Sequence, residues 1–188
     1  MSKLVIDRAA IKNNLTVIKD RAAGAAIYGV VTGDGQGVGA AALAQLLRDE
    51  GIGRFAVSEP AEAAALRRAG FVEEEILMLR PTGDRAELEQ LIDLNVVCTV
   101  GSADTGMALN GAAEARSTVV EAHIQIDTGM GFGGFLADTQ MDIAGQHALG
   151  KAFGCMLLKS PDANHIPVQR QQEVLVIGCH NSQHDLSQ

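Results

Sequence analysis

Residues 28–39, Tyr28-Gly29-Val30-Val31-Thr32-Gly33-Asp34-Gly35-Gln36-Gly37-Val38-Gly39, carry an apolar run into a loop with four glycines in seven positions and then into a helix. Strand, glycine turn and helix in that order make one βα unit of a parallel sheet, which sets the fold class as α/β. Such a loop lets the backbone approach a ligand and leaves amides free near a helix N-terminus, a natural place for an anion. Read from Gly37, the stretch matches G-x-G-x-x-A with Ala42 last, and Glu59 stands 20 residues beyond Gly39, the outline of a dinucleotide fingerprint. A tight turn that needs glycine for positive φ leaves the same mark, so both readings stand open at this point.

The same rhythm continues on either side. Ile11, Leu15, Ile18 and Ala22 recur at intervals of 4, 3 and 4 residues behind Asp7, which is placed to cap a first helix. Strands are expected at Ala26–Thr32, Arg54–Ser58, Ile76–Leu79, Val96–Val100 and Val119–Asp127. Helices are expected between them at Gly39–Glu50, Pro60–Ala69, Asp84–Leu94 and Ser102–Ala115, with Pro60 in a first turn and Ser102 as a cap. Past Leu136 the periodicity weakens, and 137–188 reads as an irregular tail with one plausible strand at Glu173–Ile177.

The chain has 188 residues, enough for one domain but short of the roughly 250 of a closed eight-unit barrel. With 47 % hydrophobic and 3 % aromatic residues, its interior must be aliphatic. A formal net charge of −8 without a Lys/Arg cluster argues against nucleic acid or an anionic membrane as partner. The start of the chain has no run of signal-peptide type and no stretch is long and apolar enough to span a bilayer, so a cytoplasmic location is expected. Cys98, Cys155 and Cys179 are an odd set at wide spacings, which suits idle thiols. Cys179, His180 and His184 fall short of a four-ligand zinc site, so no metal is expected. His123 reads as an interior residue, and Glu73-Glu74-Glu75 as a solvated loop.

Three blocks in register resemble the alanine racemases, the fold-type III family that uses pyridoxal phosphate: VVTGDGQGVG at 30–39, FAVSEPAEAAALRRAG at 55–70 with EEILMLRPT at 74–82, and HIQIDTGMGFGGF at 123–135. The resemblance implies that residues 1–136 form parallel βα units of an incomplete TIM-type barrel. It also implies that 137–188 is a tail, read as a remnant of the family's C-terminal β-domain. In the family the first block carries the lysine that forms a Schiff base with the cofactor and moves the substrate's α-proton; the matching residue here is Thr32. Gln36 stands where the family has a tyrosine at the cofactor phosphate. Gln125 and Phe132 stand where it usually has a basic residue and an arginine that reaches the cofactor, while Asp127, Thr128, Gly129 and Met130 are retained.

A threonine hydroxyl forms no imine and is a very poor base at neutral pH, so both roles of the lysine go together. Covalent cofactor at residue 32 is therefore not expected. The resemblance implies a small-molecule amino acid as ligand, L-/D-alanine interconversion as the ancestral reaction, and a homo-oligomer. The chain as written is read as inactive or degenerate. A non-catalytic pyridoxal-phosphate or nucleotide-binding module, or a structural partner of a full-length homologue, is the alternative. Five strands alone would leave two bare edges, to be covered by pairing of Val174–Ile177 or by association of two chains, and association is the expectation.

Overall fold

The computed structural model describes residues 5–22, 24–127, 131–136, 156–158 and 175–177. Helix α1 (Arg8–Ala22) leads into strand β1 (Ile27–Val30), a single turn α2 (Thr32–Gln36) and helix α3 (Ala40–Asp49). Then β2 (Arg54–Val57), α4 (Pro60–Arg68), β3 (Glu75–Met78), α5 (Arg85–Asp93), β4 (Cys98–Val100), α6 (Ala103–Ala115) and β5 (Val120–Ile124) alternate. Four short strands follow: β6 (Ile126–Asp127), β7 (Phe135–Leu136), β8 (Met156–Leu158) and β9 (Leu175–Ile177).

Among the described residues every strand pairing is parallel, in the orders β9-β1-β2-β3, β4-β5-β8 and β6-β7. A bridge between Leu77 and Val97 joins β3 to β4, with Met78 N donating to Val97 O at 2.9 Å and Val97 N to Ile76 O at 2.8 Å. The strands thus run side by side as part of a barrel wall. The edges are covered by the chain's own tail, the alternative to the association that was expected: β9 pairs with β1 through Ile27–Leu175, Tyr28–Val176 and Gly29–Ile177, and β8 pairs with β5. Of these two tail strands, β9 was legible in the sequence and β8 was not.

Alternate residues of each strand enter separate clusters, as period-two geometry requires. Phe55, Val57, Ile76, Met78, Cys98 and Val100 pack outward on Leu43, Leu47, Leu66, Leu88, Leu91 and Leu109 of the helices. Tyr28, Val30, Ala56, Leu77 and Val97 pack together on the inner face. Helix starts follow local chemistry. Asp7 accepts from the amides of Ala9 and Ala10 at 2.8 and 3.2 Å, Asp84 from Glu87 at 2.9 Å and Ser102 from Thr105 at 3.2 Å, and Pro60 opens α4, where its missing N–H costs nothing.

Two sequence expectations shift. The strand expected over Val119–Asp127 breaks at Gln125, whose amide reaches back to Val100 O at 2.9 Å while its carbonyl accepts from Phe135 N at 2.9 Å. Glu73-Glu74-Glu75 is not simply a solvated loop, because Glu74 pairs with Arg48 at 2.8 Å and Glu75 begins β3 with the Tyr28 hydroxyl donating to it. The rest of 137–188 lies outside the described residues, with Cys155, Cys179, His180 and His184.

Candidate functional site

In a parallel βα barrel the C-terminal ends of the strands form the mouth where ligands bind, because the loops there are free of the packing duties of the wall. Following the inner-face alternation upward puts Thr32, Ser58, Pro81, Gly101 and Gln125 at that level. Thr32 comes there because β1 ends at Val30, Val31 N donates to Ala56 O at 3.0 Å, and the chain then turns.

That turn is left-handed. Gly33, Asp34, Gly35, Gln36 and Gly37 all have positive φ, between 53° and 85°, closed by Gly35 N to Val31 O at 3.0 Å and Gly37 N to Gly33 O at 3.1 Å. Such a backbone costs roughly 1–2 kcal/mol for each residue with a Cβ, which is why glycine fills three of the five places. At Gly35 an added Cβ would also meet Ala40 N and Cα at 3.1 Å, so the turn is pressed against the start of α3. The glycine density seen in sequence is therefore spent on this turn.

Carboxylates tie the turn to its surroundings. Glu62 reaches across from α4, one oxygen accepting from Gly33 N at 2.6 Å and the other from Ser58 N at 2.9 Å and Glu59 N at 3.1 Å. Asp34 accepts from Ala40 N at 2.9 Å, the first amide of α3. Beside them Arg80 donates to Ser58 O at 3.2 Å and pairs with Glu59 at 3.0 Å and Glu87 at 3.1 Å. The Arg80 guanidinium, and then the Thr82 hydroxyl at 2.6 Å, hold the Glu87 carboxyl below its ordinary range, and Glu87 in turn raises Arg80. Sequence reasoning missed Asp34, Glu62 and Arg80; Glu62 looks like any outward acid of an amphipathic helix, and only its place three residues after Glu59 hinted at a capping role.

Thr32 is half-buried at the head of the turn and Gln36 exposed at its end. Phe132 is 87 % exposed in the loop between β6 and β7, and its carbonyl accepts from Gln125 Nε2 at 3.3 Å. The other amide atom, Gln125 Oε1, is buried without a hydrogen-bond partner among the described residues. Asp127 accepts from Gly131 N at 3.0 Å, a scaffold role; Thr128, Gly129 and Met130 lie outside the described residues. His123 sits below the mouth, edge-on to the Tyr28 ring at 6.3 Å. Tyr28 is the chain's one tyrosine, 3 % exposed, and burial, then its bond to Glu75, pushes its phenol far above the ordinary value.

A sheet of parallel βα units with a polar mouth at its carboxyl ends belongs to the class of (β/α) barrel folds. The family model for the N-terminal domain of alanine racemase matches residues 6–158. Alanine racemase of Clostridium tetani is 35 % identical over 135 residues, covering 72 % of this chain and 34 % of that protein. That of Levilactobacillus brevis is 34 % identical over 146 residues, covering 76 % and 39 %. The alanine racemase structure from Clostridium difficile superposes with TM-score 0.68 at 30 % identity, over 78 % of this chain and 38 % of that one. A histidine racemase from Leuconostoc mesenteroides shares the fold, with TM-score 0.70 at 21 % identity over 80 % of this chain and 39 % of that one. The chain belongs to the alanine racemase family and carries its N-terminal domain. It spans between 34 % and 39 % of the length of the two curated relatives quoted.

The residues described do not fit covalent attachment of the family's pyridoxal phosphate. Attachment needs an amine, and residue 32 is threonine. The lysines among the described residues are Lys12 and Lys19, both on α1. Lys19 donates to Glu50 O and lines a cavity with Ala25–Ile27 and Gly51–Arg54, at the strands' opposite, amino-terminal end.

Proposed function

We propose that this chain is a member of the alanine racemase family that has no racemase activity of its own, its ancestral reaction being the interconversion of L- and D-alanine. The observation that carries this reading is Thr32. Racemisation through the family's cofactor needs an amine at this position to hold the cofactor and to move the α-proton on one face, and the hydroxyl supplies neither. What the residues at the mouth do instead is bind one another: Glu62 holds three loop amides, Asp34 caps α3, and Arg80 is shared by two acids.

The test is incubation of the purified protein with pyridoxal phosphate, borohydride reduction and peptide mapping, alongside an assay of alanine racemisation. No reduced adduct at residue 32 and no turnover above a no-enzyme control are expected. A high-occupancy adduct at Lys151 or Lys159 together with turnover would overturn the reading by moving the site elsewhere.

A further inference from the structure

We propose that the cavity at the amino-terminal end of β1 and β2 is a binding site for a small anion bearing a phosphate group, held by Lys19 and Arg54. The inference goes beyond the loss of catalysis and does not depend on Thr32, because this cavity lies at the end of the strands opposite to the mouth. Its volume is about 470 Å³, within the roughly 300–1,000 Å³ of small-molecule sites. Its walls are the turn from α1 into β1, with Gly24, and the turn from α3 into β2, with Gly51 and Gly53. Gly24 and Gly51 have φ of 89° and 84°, a backbone that favours glycine, and the missing side chains leave room above both turns. A Cβ added at Gly24 or Gly53 would meet nothing within 4 Å, whereas one at Gly51 would stand 3.4 Å from Lys19 Nζ, so the ammonium lies directly over that turn.

Charge gives this space its chemistry. The chain carries a net charge of −8, yet the charged side chains that line the cavity are Lys19 and Arg54, with no carboxylate among the described residues that line it. Neither cation is fully engaged. Lys19 gives a donor to Glu50 O past the end of α3, as a cation at a helix C-terminus does, and keeps its others. The Arg54 ion pair with Glu75 is a long one, with Nε and Oε2 3.8 Å apart and beyond hydrogen-bond reach, while the other Glu75 oxygen accepts from the Tyr28 hydroxyl. The Arg54 side chain is 46 % exposed, and the centre of the Tyr28 ring is 5.9 Å from its guanidinium. A flat guanidinium fork beside a compact ammonium is a donor set that phosphate oxygens accept from. A carboxylate would balance one of the two charges; a phosphate dianion balances both.

The probes are inorganic phosphate and glycerol phosphate, each titrated into the full chain at fixed low ionic strength and followed by amide NMR. Saturable shifts at Gly24, Gly51 and Gly53 are expected with both, and to weaken as salt is added, since both cations are exposed. Tighter binding of the ester marks a phosphate monoester as the ligand, and tighter binding of phosphate marks the free anion. Lys19→Met and Arg54→Gln should each raise Kd about tenfold, through loss of a charge-assisted hydrogen bond. Lys19→Arg keeps the charge and should bind as the parent does. The proposal is overturned if these three glycines do not shift saturably, if the shifts are confined to the glycine turn after β1, or if Lys19→Met and Arg54→Gln bind as tightly as the parent. Should one variant not fold, the parent titration and the other variant decide. None of these outcomes bears on racemisation, so failure here and failure of the functional reading are told apart.

Discussion

Thr32 and Glu87 show what single residues decide in this chain. Replacing Thr32 by lysine returns an amine to the head of the turn, and the expected gain is attachment of cofactor at most: a visible absorbance with pyridoxal phosphate and a borohydride-reducible adduct at residue 32. Alanine turnover is expected to remain at the level of the no-enzyme control, because a racemase needs a base on each face and the resemblance places the second in the family's C-terminal β-domain, outside the N-terminal domain that this chain matches. Turnover by that single variant would show that another residue supplies the second base. Glu87 bears on stability rather than chemistry. Arg80, then Thr82, lower its pKa in the folded chain, so its contribution is fully present above the ordinary carboxylate range and is lost as pH falls through the depressed folded value. Glu87→Gln is expected to give a shallower loss of stability on acidification than the parent, read by urea unfolding at a series of pH values. An identical acid slope would place the dependence elsewhere.

At the scale of the element, what could be read from the sequence and what could not divide on physical grounds. Helices α1, α4, α5 and α6 begin within a residue of where Asp7, Pro60, Asp84 and Ser102 predict, because caps are local chemistry between residues near in the chain. The five wall strands follow from apolar runs between those helices. The break at Gln125 was not legible, since it depends on Val100 and Phe135, which lie 25 and 10 residues away. Nor was the hand of the turn after β1. Glycines announced positive φ, but Asp34 and Gln36 share it, and only the closing bonds to Val31 and Gly33 show why. At the site, Thr32 was legible as a loss, by comparison of its block with the family's, whereas the bridging by Glu62 required the fold. The turn makes a graded prediction. Gly33→Ala meets nothing within 4 Å and should cost only the backbone term, roughly 1–2 kcal/mol; Gly35→Ala pays that term and also drives a Cβ to 3.1 Å from Ala40, so its cost should be clearly larger. Equilibrium urea unfolding of the two variants checks the order, and equal losses would mean that the turn does not press on α3.

For the whole molecule the question is what covers the wall. An inner face of several hundred Å² left open to water forfeits on the order of 10 kcal/mol, comparable with the stability of an entire domain. The structure meets this with three-residue strands at each side, β8 along β5 and β9 along β1. Short edge strands are a common way of blunting a sheet, because they offer few free amides and carbonyls to another chain. The β1 edge is the more exposed to failure, since Tyr28 and Val30 on its inner face belong to the small inner cluster with Ala56, Leu77 and Val97. Without Leu175–Ile177 the backbone groups of Ile27, Tyr28 and Gly29 that now pair with it are bare, and the same edge becomes a template for a second chain. A version of the protein ending at residue 172 is therefore expected to self-associate more strongly than the parent, with a larger mass by light scattering after size exclusion and greater binding of a hydrophobic dye. The matched control is Val176→Pro in the full chain, which removes one backbone donor at the middle of the β9 pairing while leaving length and composition almost unchanged. If both versions elute and bind dye as the parent does, β9 is not what covers β1, and the inner face must be shielded by something other than its edge strand.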